Sequence, residues 1–475
     1  MRAAPLKIAL FFLFLLAPVA TLLPLGSVED YGRTQTEFPQ LGKVLLGKKG
    51  RFDQFGDAVL ERSIVRRLAV QLRNWVSYRL VGFVDNDRLV SGNDGWLFYR
   101  PEFTGGRCLD EGRTATRLRA FAVLMDVGRA AGIDMVLTMS PDKSTIYPEA
   151  LSATVRGYWK CRIENGAALR RLIKQELPEL IDHTEPLLAE KARHLDIPLY
   201  YVTDTHWTQY GGAVALRQLL AAVYPEARIP ALRLSSATTM QTADLANMLL
   251  LSIEERGPRA EPLLAEDIEP GDRPAVQTLI VHDSFYVRIK QQIRDAFPDP
   301  MTMLSFSEGY RLRTDGLSAD RLIINAIERR FVTLEGNMLA WDGDIPVAIV
   351  NRNIQRAQDC GAFGSADAAI RGDETTLRDV AIRAVASGHL PCLRLSVLAD
   401  ERAILEIALP DPETGVFEPG RTLEYRIEAG NRTIAFVLPG YAAGSSVRVS
   451  LEDAAISAID VGEIPAIQPA ASDQP

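Results

Sequence analysis

Positive charge is not in surplus in this 475-residue chain. Its 53 lysines and arginines are outnumbered by 61 acidic residues, a formal net charge of −8. The chain therefore lacks the electrostatic footprint of a nucleic-acid-binding protein. Cysteine is scarce: four residues, with no Cys-X-X-Cys pair and no histidine at ligand spacing from any of them. That removes the common zinc patterns, and neither a metal nor a cofactor is expected. Internal repeats are absent. The uncharged apolar run at the N-terminus, residues 8–26, is broken by Pro18 and Pro24 and is barely long enough to span a bilayer.

The composition that is present, 47% hydrophobic and 24% charged, is that of a globular protein, and the length calls for two or three domains. Arg2 and Lys7 precede the apolar run, and Glu29 and Asp30 follow it. This asymmetry puts the N-terminus on the cytoplasmic side and exports the rest. A cleaved signal peptide and an uncleaved anchor both fit; the continuation of the apolar stretch through Pro24 and Leu25 favours the anchor. Four cysteines in an oxidising compartment allow two disulfides in three connectivities. Proximity favours Cys108–Cys161 and Cys360–Cys392, each worth roughly 3–4 kcal/mol in the chain-entropy model.

Along the chain, residues 29–90 read as a tether followed by an amphipathic helix capped by Asp57. Its apolar positions are Leu60, Ile64, Leu68, Leu72, Trp75 and Val76, and its other face carries Arg62, Arg66, Arg67, Arg73 and Arg79. The basic face is most simply solvated; contact with acidic lipid headgroups is the other reading. From residue 91 to 336, apolar runs at 135–139, 197–202, 276–281 and 301–306 read as strands. They alternate with helices near 118–132, 167–176, 213–223, 289–297 and 321–330. Such alternation makes an α/β domain, a parallel sheet covered by helices on both faces, which binds ligands at the carboxyl ends of its strands. Residues 337–462 change texture, with short runs such as 347–350 and 393–397 between turns, and read as an all-β, sandwich-like module. Residues 463–475 read as a frayed tail.

Lys143, Asp204, His206 and Ser284 all fall at that carboxyl edge. In Asp204-Thr205-His206-Trp207 a carboxylate two residues before a histidine can fix the imidazole tautomer and stabilise its protonated form. His282-Asp283-Ser284-Phe285 puts a hydroxyl on a strand-to-helix turn, where it serves as a nucleophile or as a helix cap. His282 is a rival base or a pocket residue. Lys143, Trp207, Tyr286 and Arg288 are candidates for gripping a sugar or an acyl carbonyl, with ordinary packing as the alternative.

Taken in order, several pieces resemble the SGNH-like O-acetyltransferases of exopolysaccharide export, the AlgX/AlgJ type. They are Gly92-Asn93-Asp94-Gly95-Trp96-Leu97-Phe98-Tyr99, Pro141-Asp142-Lys143 with Tyr147-Pro148-Glu149, and Asp204-Thr205-His206-Trp207. Asp244-Leu245 with Met248-Leu249, and Asp283-Ser284-Phe285, complete the set. The resemblance implies an SGNH-like fold in which Ser284 is acylated, His206 is its base and Asp204 orients His206. It implies a periplasmic enzyme, anchored in the inner membrane, that acetylates hydroxyls of a polysaccharide acceptor. A membrane-bound O-acyltransferase is the implied acetyl source, and members of the AlgX kind carry a carbohydrate-binding module at the C-terminus. One departure is plain: where the nucleophile motif reads Gly-Asp-Ser, this chain has His282-Asp283-Ser284. An esterase on the same triad, and a non-catalytic polysaccharide-binding scaffold, are the competing functions.

Overall fold

The computed structural model describes residues 37–38, 40, 50, 53–55, 57–58, 64–84, 86–103, 109–158, 160–263, 275–315, 317–332, 343–365, 368–370 and 378–467. The expected N-terminal anchor, Cys108 with its pairing to Cys161, and residues 468–475 of the tail lie outside them. No helix among the described residues is long and apolar enough to cross a membrane.

Helix α1 (Ile64–Val76) runs on into a π-helical turn, Ser77–Val81. Strands β1 (Leu89–Ser91) and β2 (Leu97–Tyr99) form a hairpin. Asp94 and Gly95 take φ of 51° and 80° at its turn, the primed geometry that matches strand twist. Then come α2 (Glu111–Ala130), β3 (Asp134–Ser140), α3 (Lys160–Glu176), β4 (Ile181–Asp182) and α4 (Gln209–Val223). An antiparallel hairpin, β5 (Leu234–Thr242) with β6 (Glu254–Ala260), brackets the short helix α5 (Asp244–Met248). Strand β7 (Thr278–His282), helix α6 (Ser284–Arg288), β8 (Met301–Ser305) and β9 (Arg321–Ile327) complete the first half.

The central sheet is parallel throughout, in the order β4-β3-β9-β7-β8. Strands β7 and β9 are buried at every residue, as a parallel sheet covered on both faces requires. Alternation sorts their side chains. Leu279, Val281, Leu322 and Ile324 join the core lined by α2 and α3, whereas Ile280, Ile323 and Ile327 join the core of α4, Trp207 and Phe285.

Two expected elements change type. Residues 321–330 are read as a helix from sequence, yet Arg321–Ile327 is the central strand, because a fully buried strand has an unbroken apolar run without a diagnostic period. Residues 197–202 are read as a strand, yet they form irregular backbone with one isolated bridge, Tyr200 to Trp207.

The described part of the second half opens on a helix, not a strand. Helix α7 (Asp344–Arg356) swallows the run 347–350 and buries Ile345, Ala348, Ile349, Asn353 and Arg356 at helical spacing. The Asn353 amide donates to the carbonyls of Val127 (3.1 Å) and Val437 (2.9 Å) and accepts from the Val437 N–H, so α7 stitches α2 to the β module. That module contains β10 (Gly361–Ser365), β11 (Ala368–Ile370), β12 (Arg378–Ala381), β13 (His389–Ala408), β14 (Thr422–Ile427), β15 (Gly430–Val437) and β16 (Ser446–Pro465). Among the described residues it forms one antiparallel sheet, not two separate ones. The long β13 and β16 pair along their length and shift register near Ser396 and between Ala399 and Ile404, bulges that bend the sheet. Strand β15 then pairs with the first part of β13, and β14 with the last. Cys360 and Cys392 form the expected disulfide, across 32 positions of sequence. The module's inner face, Leu393, Leu395, Leu405 and Ile407, is continuous with the α2 side of the first half.

Candidate active site

The loop that carries Asp204 and His206 has no strand to hold it, so polar side chains do the holding. Lys143 is wholly buried and its ammonium donates to the carbonyls of Leu97 (2.6 Å), Val202 (2.7 Å) and Asp204 (3.0 Å). All three of its protons are spent. Burial pulls its pKa down to about 8, against the pull of Glu102, Glu255, Asp204 and Asp244. Lys143 therefore ties the loop to the β1–β2 hairpin and leaves nothing for a substrate. From the other side the Glu255 carboxylate accepts the N–H of Val202 (2.7 Å) and of Thr203 (2.5 Å), and the Thr203 hydroxyl.

Within that frame, Asp204 Oδ1 accepts both the backbone N–H of His206 (2.9 Å) and its ring Nδ1 (2.7 Å). A carboxylate two residues ahead reaches both groups at once, which is why the spacing works. Asp204 Oδ2 accepts the Asp244 N–H (3.1 Å) and the Arg288 guanidinium (3.0 Å). Burial alone would raise the Asp204 pKa, but the His206 hydrogen bond and the charges of His206 and Arg288 outweigh it and hold the group at about 2. A carboxylate at Nδ1 can only accept, so Nδ1 carries the proton and Nε2 is a free acceptor. Nε2 lies 2.8 Å from Ser284 Oγ.

Ser284 is exposed, while Asp283, Phe285 and Tyr286 around it are buried. The helix cap is Asp283, whose Oδ1 accepts the Phe285 N–H (2.9 Å), so the Ser284 hydroxyl is left for His206. As the first helical residue, Ser284 also keeps a backbone N–H with no intrahelical acceptor. The Phe285 ring packs 4.9 Å from the His206 ring, and the Phe285 carbonyl accepts the Trp207 indole N–H (3.1 Å). Thr208, not Asp204, caps α4, its hydroxyl accepting the Gly211 N–H (3.1 Å). At Gly211 a Cβ would sit 2.2 Å from the Leu199 carbonyl, so only glycine lets α4 approach the loop.

Several residues expected to grip substrate are committed elsewhere. Trp207 is fully buried in the α4 core. Tyr286 is buried with its hydroxyl between Thr138 (3.2 Å) and His183 Nε2 (3.1 Å), and His183 Nδ1 faces Gln218 Oε1 (2.7 Å). Burial pulls the His183 pKa down to about 4, so this chain of polar groups is neutral. Arg288 braces Asp204. His282 is buried, its Nδ1 donates to the Asp283 carbonyl (2.8 Å), and burial lowers its pKa; it makes no hydrogen bond to Ser284.

Asp244 was legible only as part of a motif and proves central. Its Oδ1 accepts the Thr205 N–H (2.7 Å), its Oδ2 lies 3.6 Å from His206 Nδ1, and its backbone N–H holds Asp204. Asp204, His206 and Asp244 have the donor types of a metal site. The arrangement is poor for a cation, because Nδ1 is protonated and Arg288 already occupies Asp204 Oδ2.

Residues 89–276 match the family described as the SGNH hydrolase-like domain of the acetyltransferase AlgX. The matched span contains Asp204, His206 and Asp244 and ends before Ser284. The probable alginate O-acetylase AlgJ of Azotobacter vinelandii is 24% identical over 189 residues, 40% of this chain and 45% of that protein, so the chain spans less than half of that relative. Among solved structures, the O-acetyltransferase domain of Pseudomonas putida AlgJ aligns at 18% identity over 55% of this chain and 98% of its own, with a TM-score of 0.39. Pseudomonas aeruginosa AlgX aligns at 15% identity over 84% of this chain and 98% of its own, with a TM-score of 0.40.

Proposed function

We propose that the protein is an O-acetyltransferase that carries an acetyl group on Ser284 and delivers it to hydroxyls of an exported polysaccharide. The observation that carries this reading is the continuous relay from Asp204 through His206 to the exposed Ser284, at 2.7 and 2.8 Å. Nε2 of His206 takes the Ser284 proton as Oγ attacks the acetyl carbonyl, and returns that proton to the leaving group. Asp204 stabilises the imidazolium formed in between. A sugar hydroxyl then gives its proton to His206, attacks the acyl ester and restores Ser284.

The match of residues 89–276 to the AlgX family and the similarity to AlgJ support acetylation as the chemistry and an exported polymer as the acceptor. With it come a periplasmic location, an N-terminal anchor and an acetyl supply from a membrane-bound O-acyltransferase. Incubation with a chromogenic acetyl ester and an oligosaccharide separates the alternatives. The reading expects acetylated oligosaccharide and its loss in Ser284→Ala. Ester hydrolysis without transfer would make the protein an esterase, and no turnover at all would leave a polysaccharide-binding scaffold.

A further inference from the structure

Helix α1 is built inside out for a globular protein. Leu68, Leu72, Trp75, Leu80, Val81 and Phe83 are between 47% and 71% exposed. Leu68, Leu72, Trp75 and Val76 recur at i, i+4, i+7 and i+8, so they share one arc of the helix. The opposite side is seated on the protein: the Asn74 amide donates to the Leu249 carbonyl (2.9 Å), and the Tyr78 hydroxyl donates to the Gly95 carbonyl (2.8 Å). The apolar arc therefore faces outward by construction. An outward apolar patch of this size marks an interaction surface.

Charge says what covers it. Helix α1 and its π-turn contain Arg66, Arg67, Arg73 and Arg79 and no acidic residue, in a chain of net charge −8. Arg67, Arg73 and Arg79 are all exposed, and at 3.6 residues per turn Arg73 falls on one flank of the apolar arc. A second copy of this helix would set arginine against arginine. An anionic bilayer complements both features, taking leucines and a tryptophan below its headgroups and arginines among its phosphates. Tryptophan is also the side chain most favoured at that depth.

We propose that residues 64–83 lie along the surface of an anionic membrane, with the apolar arc buried in the headgroup layer and Arg67, Arg73 and Arg79 on lipid phosphates. The inference does not depend on the acetyl-transfer reading. It has a consequence for the site all the same. The segment under the helix, Leu245, Ala246 and Leu249, is continuous with Asp244 beside His206. Seating α1 on lipid thus fixes the height of the site above the bilayer.

The test uses the full chain in vesicles of brominated phosphatidylcholine, with and without phosphatidylglycerol, and reads tryptophan quenching. Trp75 is exposed, so Trp75→Phe leaves packing intact. The expected result is that Trp75→Phe removes a share of the quenching, and that this share is roughly two-fold or more larger with phosphatidylglycerol and falls with salt. The triple variant Arg67→Gln/Arg73→Gln/Arg79→Gln should abolish the anionic enhancement. Equal quenching in the parent and Trp75→Phe would overturn the proposal and leave the arc to a protein partner or a second copy. A Trp75 share that ignores phosphatidylglycerol and the arginines would overturn it too.

Discussion

Arg288 sits on the far side of Asp204 from His206, 3.0 Å from Oδ2, while Oδ1 holds the imidazole at 2.7 Å. The carboxylate that orients the histidine is thereby clamped from both ends. Replacing Arg288 by Met removes a charged hydrogen bond to a buried acid, a loss of about 1.5–3 kcal/mol. Asp204 is held below the usual carboxylate range, at about 2, so its stabilisation is present above about pH 4 and fades as pH falls toward 2. The melting temperature of Arg288→Met should therefore lie below the parent's at neutral pH, and the gap should narrow on acidification. A gap that widens in acid would contradict the clamp.

Asp244 puts a second carboxylate 3.6 Å from His206 Nδ1. In Asp244→Asn the amide oxygen can still accept the Thr205 N–H, but the negative charge is gone. The imidazolium formed during turnover then loses a nearby countercharge, and kcat should fall about three-fold or more with little change in KM. Asp244→Ala also releases the loop and should lower kcat by about ten-fold or more. Steady-state kinetics of the three proteins decides it; an unchanged kcat in Asp244→Asn rules out the electrostatic role.

Lys143 spends its ammonium on three carbonyls. Lys143→Met would strand the Leu97 and Asp204 carbonyls and leave Val202 only the Leu97 N–H, a cost of about 3–5 kcal/mol. Urea unfolding should show that loss. Because the ammonium is spent on holding the loop, ester turnover should fall through kcat and not KM. A selective rise in KM would return Lys143 to the substrate pocket.

The two histidines near Ser284 should behave differently. His206→Gln removes the proposed base and should cut acyl transfer by roughly 10³-fold or more. His282→Asn should stay within about ten-fold of the parent, since His282 bonds only to the Asp283 carbonyl. Burst kinetics with a chromogenic ester compares them. The reverse order would identify His282 as the base.

How much of this was legible in the sequence differs from residue to residue. Asp204 and His206 were legible because the geometry that couples them is local, closed within three residues. Ser284 was legible because a strand and a helix meet there, although the cap role had to be settled by Asp283 taking it. The sheet was legible in outline, but its central strand, Arg321–Ile327, carries only apolar density, which a buried helix shares. The run 197–202 has strand composition, yet no strand pairs along it, and Val202 is held by Leu97, Lys143 and Glu255, which lie far away in sequence. Trp207, Tyr286 and Arg288 flank the reactive groups along the chain but point into the core or behind Asp204, and direction is a tertiary property. The apolar arc of α1 carries the same lesson in reverse: helical periodicity shows that a face exists, not that protein covers it.

The central claim is that Ser284 carries the acetyl group in transit. Intact-mass and peptide mass spectrometry of the protein mixed with a chromogenic acetyl ester tests it most directly, with an oligosaccharide acceptor added afterwards. Acetyl should appear on Ser284, accumulate in the absence of acceptor, and be discharged as acetylated oligosaccharide. An unmodified Ser284 during turnover, or undiminished transfer in Ser284→Ala, would contradict it.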